Sequence, residues 1–348
     1  MPPSSAPPAQ AATPAIQNTA QQNGAVTVAL SSATTGAAIY YTTDGTTPTV
    51  LSQPYLAPFL VASNITVKAI AEATGLAPST VASQAFSPNL PSGTLVWAEE
   101  FDNSTSGPVA PNPAVWTYDT GNSGFGNSEL ETYCSNGSTT PPCDAANPNA
   151  SVGTDGVLHI VAHQPSPGVY TSARLKTQGL FSFQYGRLEF RARAPEAQGF
   201  WPAGWLVGNT IATVGWPASG EMDVLERVNA APVPDWNMGS IHGTGFTGSN
   251  LGVKYNFPNG QTASDWHVYG MIWKPGSVAY YIDSPNNVYA TFTPSSLSSL
   301  PGAVWPFDSG PSFMLLNLAV GGSWPGPPDA TTPFPSEYDI DYVRLYTN

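Results

Sequence analysis

The sequence predicts an all-β protein built as two units, a small N-terminal β-sandwich followed by a larger sandwich or jelly roll. Three observations point there. Only 9% of the 348 residues are charged, whereas Gly (33) and Pro (36) abound, a profile that suits strands joined by many turns better than helices. Short segments alternate in polarity at the two-residue period of strands throughout the chain. The composition also changes sharply near residue 90: the first 90 residues carry three charged side chains (Asp44, Lys68, Glu72) and no tryptophan, and all ten tryptophans lie between Trp97 and Trp324.

Residues 1–18 are rich in Pro, Ala and Ser and read as a linker. Residues 19–88 follow as the first sandwich. Stretches 25–30, 38–42 and 65–71 alternate as strands do, and Asp44-Gly45 is a turn signal between two of them. Ser87-Pro88-Asn89-Leu90-Pro91-Ser92-Gly93 has the composition of a connection, with the hinge placed at 89–93. Residues 94–348 form the second unit. There 157–162, 187–193 and 278–283 alternate between Gly- and Pro-rich connections, a pattern of sandwiches and jelly rolls.

The densest chemistry lies in Glu221-Met222-Asp223-Val224-Leu225-Glu226. In a strand, Glu221 and Asp223 share one face and Met222 and Val224 the other. Strict alternation would turn Glu226 away. One extra residue, a β-bulge near Leu225, brings it round beside the other two. Three acids in a row suit retaining glycoside hydrolysis, in which one carboxylate attacks the anomeric carbon and a second, protonated one serves the leaving oxygen, about 5–5.5 Å away. The charge of a central Asp223 would help keep one glutamate protonated. A hard-cation site is an alternative use of clustered carboxylates. So is a helix, on which Glu221 and Glu226 diverge.

Flanking blocks narrow the choice. Phe200-Trp201-Pro202-Ala203-Gly204-Trp205-Leu206 and Trp216-Pro217-Ala218-Ser219-Gly220 lead into the acids, and Ser240-Ile241-His242-Gly243 follows them. Together with blocks 95–101, 126–130, 170–175, 185–189, 265–269, 317–322 and 341–346, they give residues 94–348 a strong resemblance to the family 16 glycoside hydrolases, in particular laminarinase-like β-1,3-glucanases. The resemblance implies a curved jelly roll with an open cleft, Glu221 as nucleophile, Glu226 as acid/base and Asp223 assisting. The six-residue form of the acid motif goes, within that family, with β-1,3 or mixed 1,3–1,4 glucans.

The resemblance also implies sugar platforms at Trp201, Trp205, Trp216 and Trp324, hydrogen bonds from Asn127 and Arg174, and His242 beside the acids. Core packing is the competing use of each tryptophan, Trp205 above all. A structural Ca²⁺ is implied at Asp341, with backbone carbonyls near Glu100 and Gly156; Asp339 is the competing acid. Catalysis of this kind needs no cofactor. Segment 39–49 resembles the Ig-like module at the C-terminus of chitobiases, so the first unit is expected to be an Ig-like spacer or, less favoured, a glycan binder.

Cys134 and Cys143 are the only cysteines, nine apart in a polar loop, and a disulfide between them would fit an oxidising compartment; two free thiols are the alternative. The net charge of −13 disfavours nucleic acid and anionic membranes as partners. No apolar run approaches the ~18–20 residues of a membrane span, and residues 1–30 lack a signal-peptide pattern. The expectation is therefore a monomeric, secreted protein whose export signal is not part of this sequence, acting on β-glucan polysaccharide. Two alternatives remain. One is a non-catalytic glucan-recognition protein; the other is a family member acting on another polymer, as a galactan hydrolase or a transglycosylase.

Overall fold

The computed structural model describes residues 9–229 and 235–348. Among the described residues the regular structure is nearly all strand, and two large sheets form a sandwich, with a third sheet of four strands in the N-terminal unit. No described helix is long and apolar enough to cross a membrane.

The acid-bearing sheet runs, in its catalytic half, from Phe183–Gln184 through Ser312–Val320, Phe200–Gly208, Glu221–Glu226 and Trp236–His242 to Gly252–Asn256. Arg174–Lys176 also pairs with Ser312–Val320 and carries Thr117–Asp119 on its other side. Ser312–Val320 is buried along its whole length, as its near-continuous apolar sequence requires of a central strand. The second sheet centres on Leu158–Ser166, Ser336–Tyr346, Gly186–Arg193, His267–Lys274 and Ser277–Ile282. Leu188, Phe190, Leu206, Met222, Leu316 and Tyr338 are among the side chains that fill the space between the layers. The layers come close at Gly204, where a Cβ would stand 2.5 Å from the ring of Phe190. Only glycine fits there.

The N-terminal unit is less separate than its composition predicts. Ala15–Gln22, Ala25–Ser31 and Phe59–Val61 form one layer of the module and also extend the acid-bearing sheet, because Phe59–Val61 pairs in parallel with Phe183–Gln184. Ala25, Leu60 and Ala62 join the main core, and burying a leucine such as Leu60 contributes roughly 1.5–3 kcal/mol. Of the stretch expected to be linker, residues 1–8 lie outside the described residues. Residues 9–18 are not linker: Ala11 is buried, Gln10 bridges to Ala77, and a strand begins at Ala15. Composition misled here, because Ala and Pro suit a small sandwich as well as a spacer. The expected hinge is held on both sides. Pro91 O accepts from the hydroxyls of Thr94 and Thr347, and Asn89 Oδ1 accepts from Asn64 Nδ2.

Candidate active site

Strand register builds the site. Opposite Phe200–Gly208, Glu226 faces Ala203 and Leu225 faces Gly204, but Asp223 faces Trp205, so Val224 is the extra residue. Met222, Val224 and Leu225 all point into the core. That bulge sets Glu221, Asp223 and Glu226 on the open face together.

Following the pairing sideways gives two cross-strand rows. Asp119, Arg174, Asn317, Ala203 and Glu226 form one. Leu315, Trp205, Asp223 and Ser240 form the next. Glu221 lies opposite Val207 and His242.

Each acid has its own partner. Trp216 Nε1–H donates to Glu221 Oε2 at 3.0 Å, and Trp201 Nε1–H donates to Glu226 Oε1 at 3.2 Å. Asp223, only 4% exposed, accepts from the Ser240 hydroxyl at 2.6 Å and lies 3.0 Å from His242 Nε2. His242 Nδ1 lies 3.1 Å from Gly248 N, and its Nε2 faces Asp223 and, at 3.5 Å, Glu221.

Burial, and then the charge of Asp223, raises both glutamates above the carboxylate range. Glu221 is pulled back by His242, Trp216 and Arg174. At Glu226, His242 and Trp201 oppose the rise, and Glu221 adds to it. Burial lowers the pKa of His242, but Asp223, Glu221 and Glu226 outweigh it and draw it up to about 9.

All the expected sugar contacts lie around this row. Trp216 and Trp324 are 53% and 40% exposed, enough to offer a ring face. Trp324 meets Trp201 edge-on at 5.5 Å. Trp205 lies outside the main core between the sheets: it is half-buried on the open face, where it packs against the small cluster of Val207, Phe313 and Leu315, donates to Asn317 Oδ1 at 2.8 Å and stacks under Arg174 at 4.8 Å. Arg174 is itself oriented by Asp119 at 3.1 Å. Asn127 donates to Glu129 Oε1 at 3.0 Å.

Three residues of the site escaped the sequence reading. Asn317 is the lone amide in an apolar strand, a signal that was there to be read. Ser240 follows from the alternation that places His242. Trp236, on the same strand face as Ser240 and His242, lies 6.1 Å from Trp324 with Lys254 Nζ 3.8 Å above its ring; no local pattern marks it.

In the expected cation set Asp341 is the one side-chain ligand, with backbone carbonyls near Glu100 and Gly156. Asp341 is bound by Arg191 at 2.7 Å, a cation that a bound Ca²⁺ would have to displace or repel. The Glu100 carboxylate, which the expected set does not use, sits in a two-bond fork from Arg344. Asp339, the competing acid, is held by His159 and Arg193, each at 2.8 Å. Cys134 and Cys143 form a disulfide, with Cα atoms 5.8 Å apart.

Residues 139–344 match the family "Glycosyl hydrolases family 16", and residues 28–86 match "Fn3 associated". The chain is a family 16 glycoside hydrolase. It is 38% identical over 270 residues to a β-glucanase of Rhodothermus marinus, covering 74% of this hydrolase and 86% of that protein. It is 32% identical to glucan endo-1,3-beta-glucosidase A1 of Niallia circulans, covering 72% of this chain but only 37% of that one. Among solved structures, the laminarinase catalytic domain from Thermotoga maritima MSB8 superposes with a TM-score of 0.63 at 36% identity, over 74% of this hydrolase and 99% of that domain.

Proposed function

We propose that this hydrolase is a retaining endo-β-glucanase cleaving β-1,3-glucan, mixed-linkage 1,3–1,4-glucan or both, with Glu221 as nucleophile, Glu226 as acid/base and Asp223 between them. The observation that carries the reading is the bulge at Val224, which lines up the three acids on one open face. The names of the relatives supply the polymer class.

In the first step Glu226 gives its proton to the glycosidic oxygen while Glu221 attacks the anomeric carbon. The bond to the leaving sugar breaks and a glycosyl ester forms on Glu221. Esterification removes the charge of Glu221, one of those that had kept Glu226 protonated, so Glu226 becomes a base. It then takes a proton from water as the water oxygen attacks the same carbon and releases Glu221. Two inversions give net retention. Trp216 and Trp201 each hold one oxygen of a glutamate, Oε2 of Glu221 and Oε1 of Glu226, and so aim the other oxygen at the sugar. Trp324, Trp205, Arg174, Asn127 and Asn317 supply stacking and hydrogen bonds along the floor.

An enzyme on a polymer of this kind works outside the cell, and the Cys134–Cys143 disulfide supports that location. The test is product analysis on laminarin, barley glucan, cellulose and agarose, with NMR of the first-formed anomer. Cleavage of the first one or two substrates with retained configuration is the expected result. An inverted product overturns the mechanism. Binding without cleavage would favour a recognition protein, a reading that the presence of all three acids disfavours.

A further inference from the structure

Away from the acid row, the cleft wall holds a second pair of carboxylates. Glu129 and Glu131 stand two apart at the start of the short strand Glu131–Tyr133, and both are buried, Glu131 completely. Glu129 has donors on both oxygens: Asn127 Nδ2 at 3.0 Å and the Tyr133 hydroxyl at 2.8 Å. Glu131 Oε2 accepts from the backbone N–H of Val320 at 2.6 Å, but its Oε1 is buried without any donor. Burial, followed by the charge of nearby Glu129, strongly favours the protonated form of Glu131. Two neighbouring carboxylates shielded from water resist being ionised together. A proton on Glu131 Oε1 removes the repulsion and turns the orphan acceptor into a donor.

The groups facing the pair supply no counter-charge in contact with it. Tyr133 comes from the same segment, and Arg174 from the neighbouring strand is engaged by Asp119, which Lys176 also binds. From the pair, hydrogen bonds lead outward in two directions. Asn317 Nδ2 donates to the Tyr133 oxygen at 3.2 Å, and Asn317 in turn accepts from Trp205. Asn127 O accepts from Ser323 N–H at 2.7 Å, next to Trp324.

We propose that Glu129 and Glu131 share one proton and act as a positioning pair that fixes Asn127, Asn317 and Trp205 on the cleft floor. The role rests on the floor being the sugar site, whereas the shared proton is tested without substrate. Above the ordinary glutamate pKa of about 4.3, the unfolded chain has lost a proton that the folded pair keeps. Folding is therefore progressively penalised as pH rises toward the value of the pair itself. The Glu131→Gln variant carries a permanent N–H in place of that proton and escapes the penalty.

The experiment measures thermal midpoints from pH 5 to 8, and KM and kcat on a laminarin oligosaccharide, for wild type, Glu131→Gln and Glu129→Gln. The midpoint of E131Q relative to wild type should climb with pH, and its KM should stay within about threefold at pH 7. In E129Q a single acceptor faces the donors of Asn127 and Tyr133, so KM should rise about tenfold with a smaller change in kcat. A flat midpoint difference overturns the shared proton; equal KM losses in the two variants overturn the positioning role. Should E131Q fail to fold, infrared spectra of a Glu221→Gln/Glu226→Gln protein at pH 7 decide. A protonated-carboxyl band supports the proposal, and no band overturns it.

Discussion

The two faces of the sandwich treat acidic residues in opposite ways. Each sheet carries a bulge beside an acid. In one, the extra Val224 swings Glu226 into line with Glu221 and Asp223. In the other, the irregular residue is Asp341 itself, where the register with Gly186–Arg193 slips. On and beside the second sheet four acids have an arginine, Asp341 with Arg191, Asp339 with Arg193, Glu189 with Arg187 and Glu100 with Arg344, while Glu337 faces His159. Those guanidiniums also lie over the rings of Trp266, Tyr346 and Tyr342. The open face gives its three acids one histidine and two indole N–H groups. Paired acids there would have ordinary, low pKa values and no proton to donate. The unpaired row is what lets a carboxyl group act as an acid near neutrality, and the second sheet demonstrates that the chain can neutralise its acids where it has no use for them.

The contrast is broken most severely at the row itself. Glu221→Gln and Glu226→Gln should each reduce kcat by ~10³-fold or more while polymer binding survives, as affinity electrophoresis would show; near-normal turnover in either would end the assignment. Asp223→Asn should cost roughly 10–100-fold and shift the alkaline limb of the pH–rate profile downward, because its charge helps hold the proton on Glu226. In wild type both limbs should lie above the ordinary carboxylate range: activity falls on the acid side as Glu221 takes up a proton and on the alkaline side as Glu226 loses one.

On the paired face the effects should be small and confined to stability. Arg344→Ala should lower stability by about 0.5–1 kcal/mol in denaturant titrations, since the pair is about a third exposed, with turnover unchanged. His159 provides the mildest test. Its bond to Asp339 and the other acids, opposed by burial, raises its pKa to about 9. A histidine raised in the folded state stabilises fully below its unfolded pKa of about 6.5, and that contribution disappears as pH climbs through 9. The gap in thermal midpoint between wild type and His159→Gln should therefore shrink from pH 6.5 to 9, and a constant gap would contradict the pairing.

How much of this could be read in advance depended on whether the cause was local. The acid row was legible because alternation and one bulge settle it within six residues. The arginine partners of Asp341 and Glu100 were not: those pairs join residues 150 and 244 apart in sequence, and only strand register brings them together. Trp205 looked ambiguous because a tryptophan in an apolar strand suits either face. Its side is decided by the count from Trp201, which shares its face. The fusion of the two units had no sequence signal, since it rests on a parallel pairing with a strand two residues long.

That fusion has a practical consequence. Phe183 is bonded on one side to Ser312 and on the other to Leu60. An enzyme cut back to residue 94 would keep its acid row but present that flank as an open row of N–H and C=O groups, a ready template for another chain. Such a shortened enzyme should cleave soluble oligosaccharides and yet self-associate as its concentration rises. The small module would then be understood less as an appendage to the enzyme than as the stopper that keeps it monodisperse.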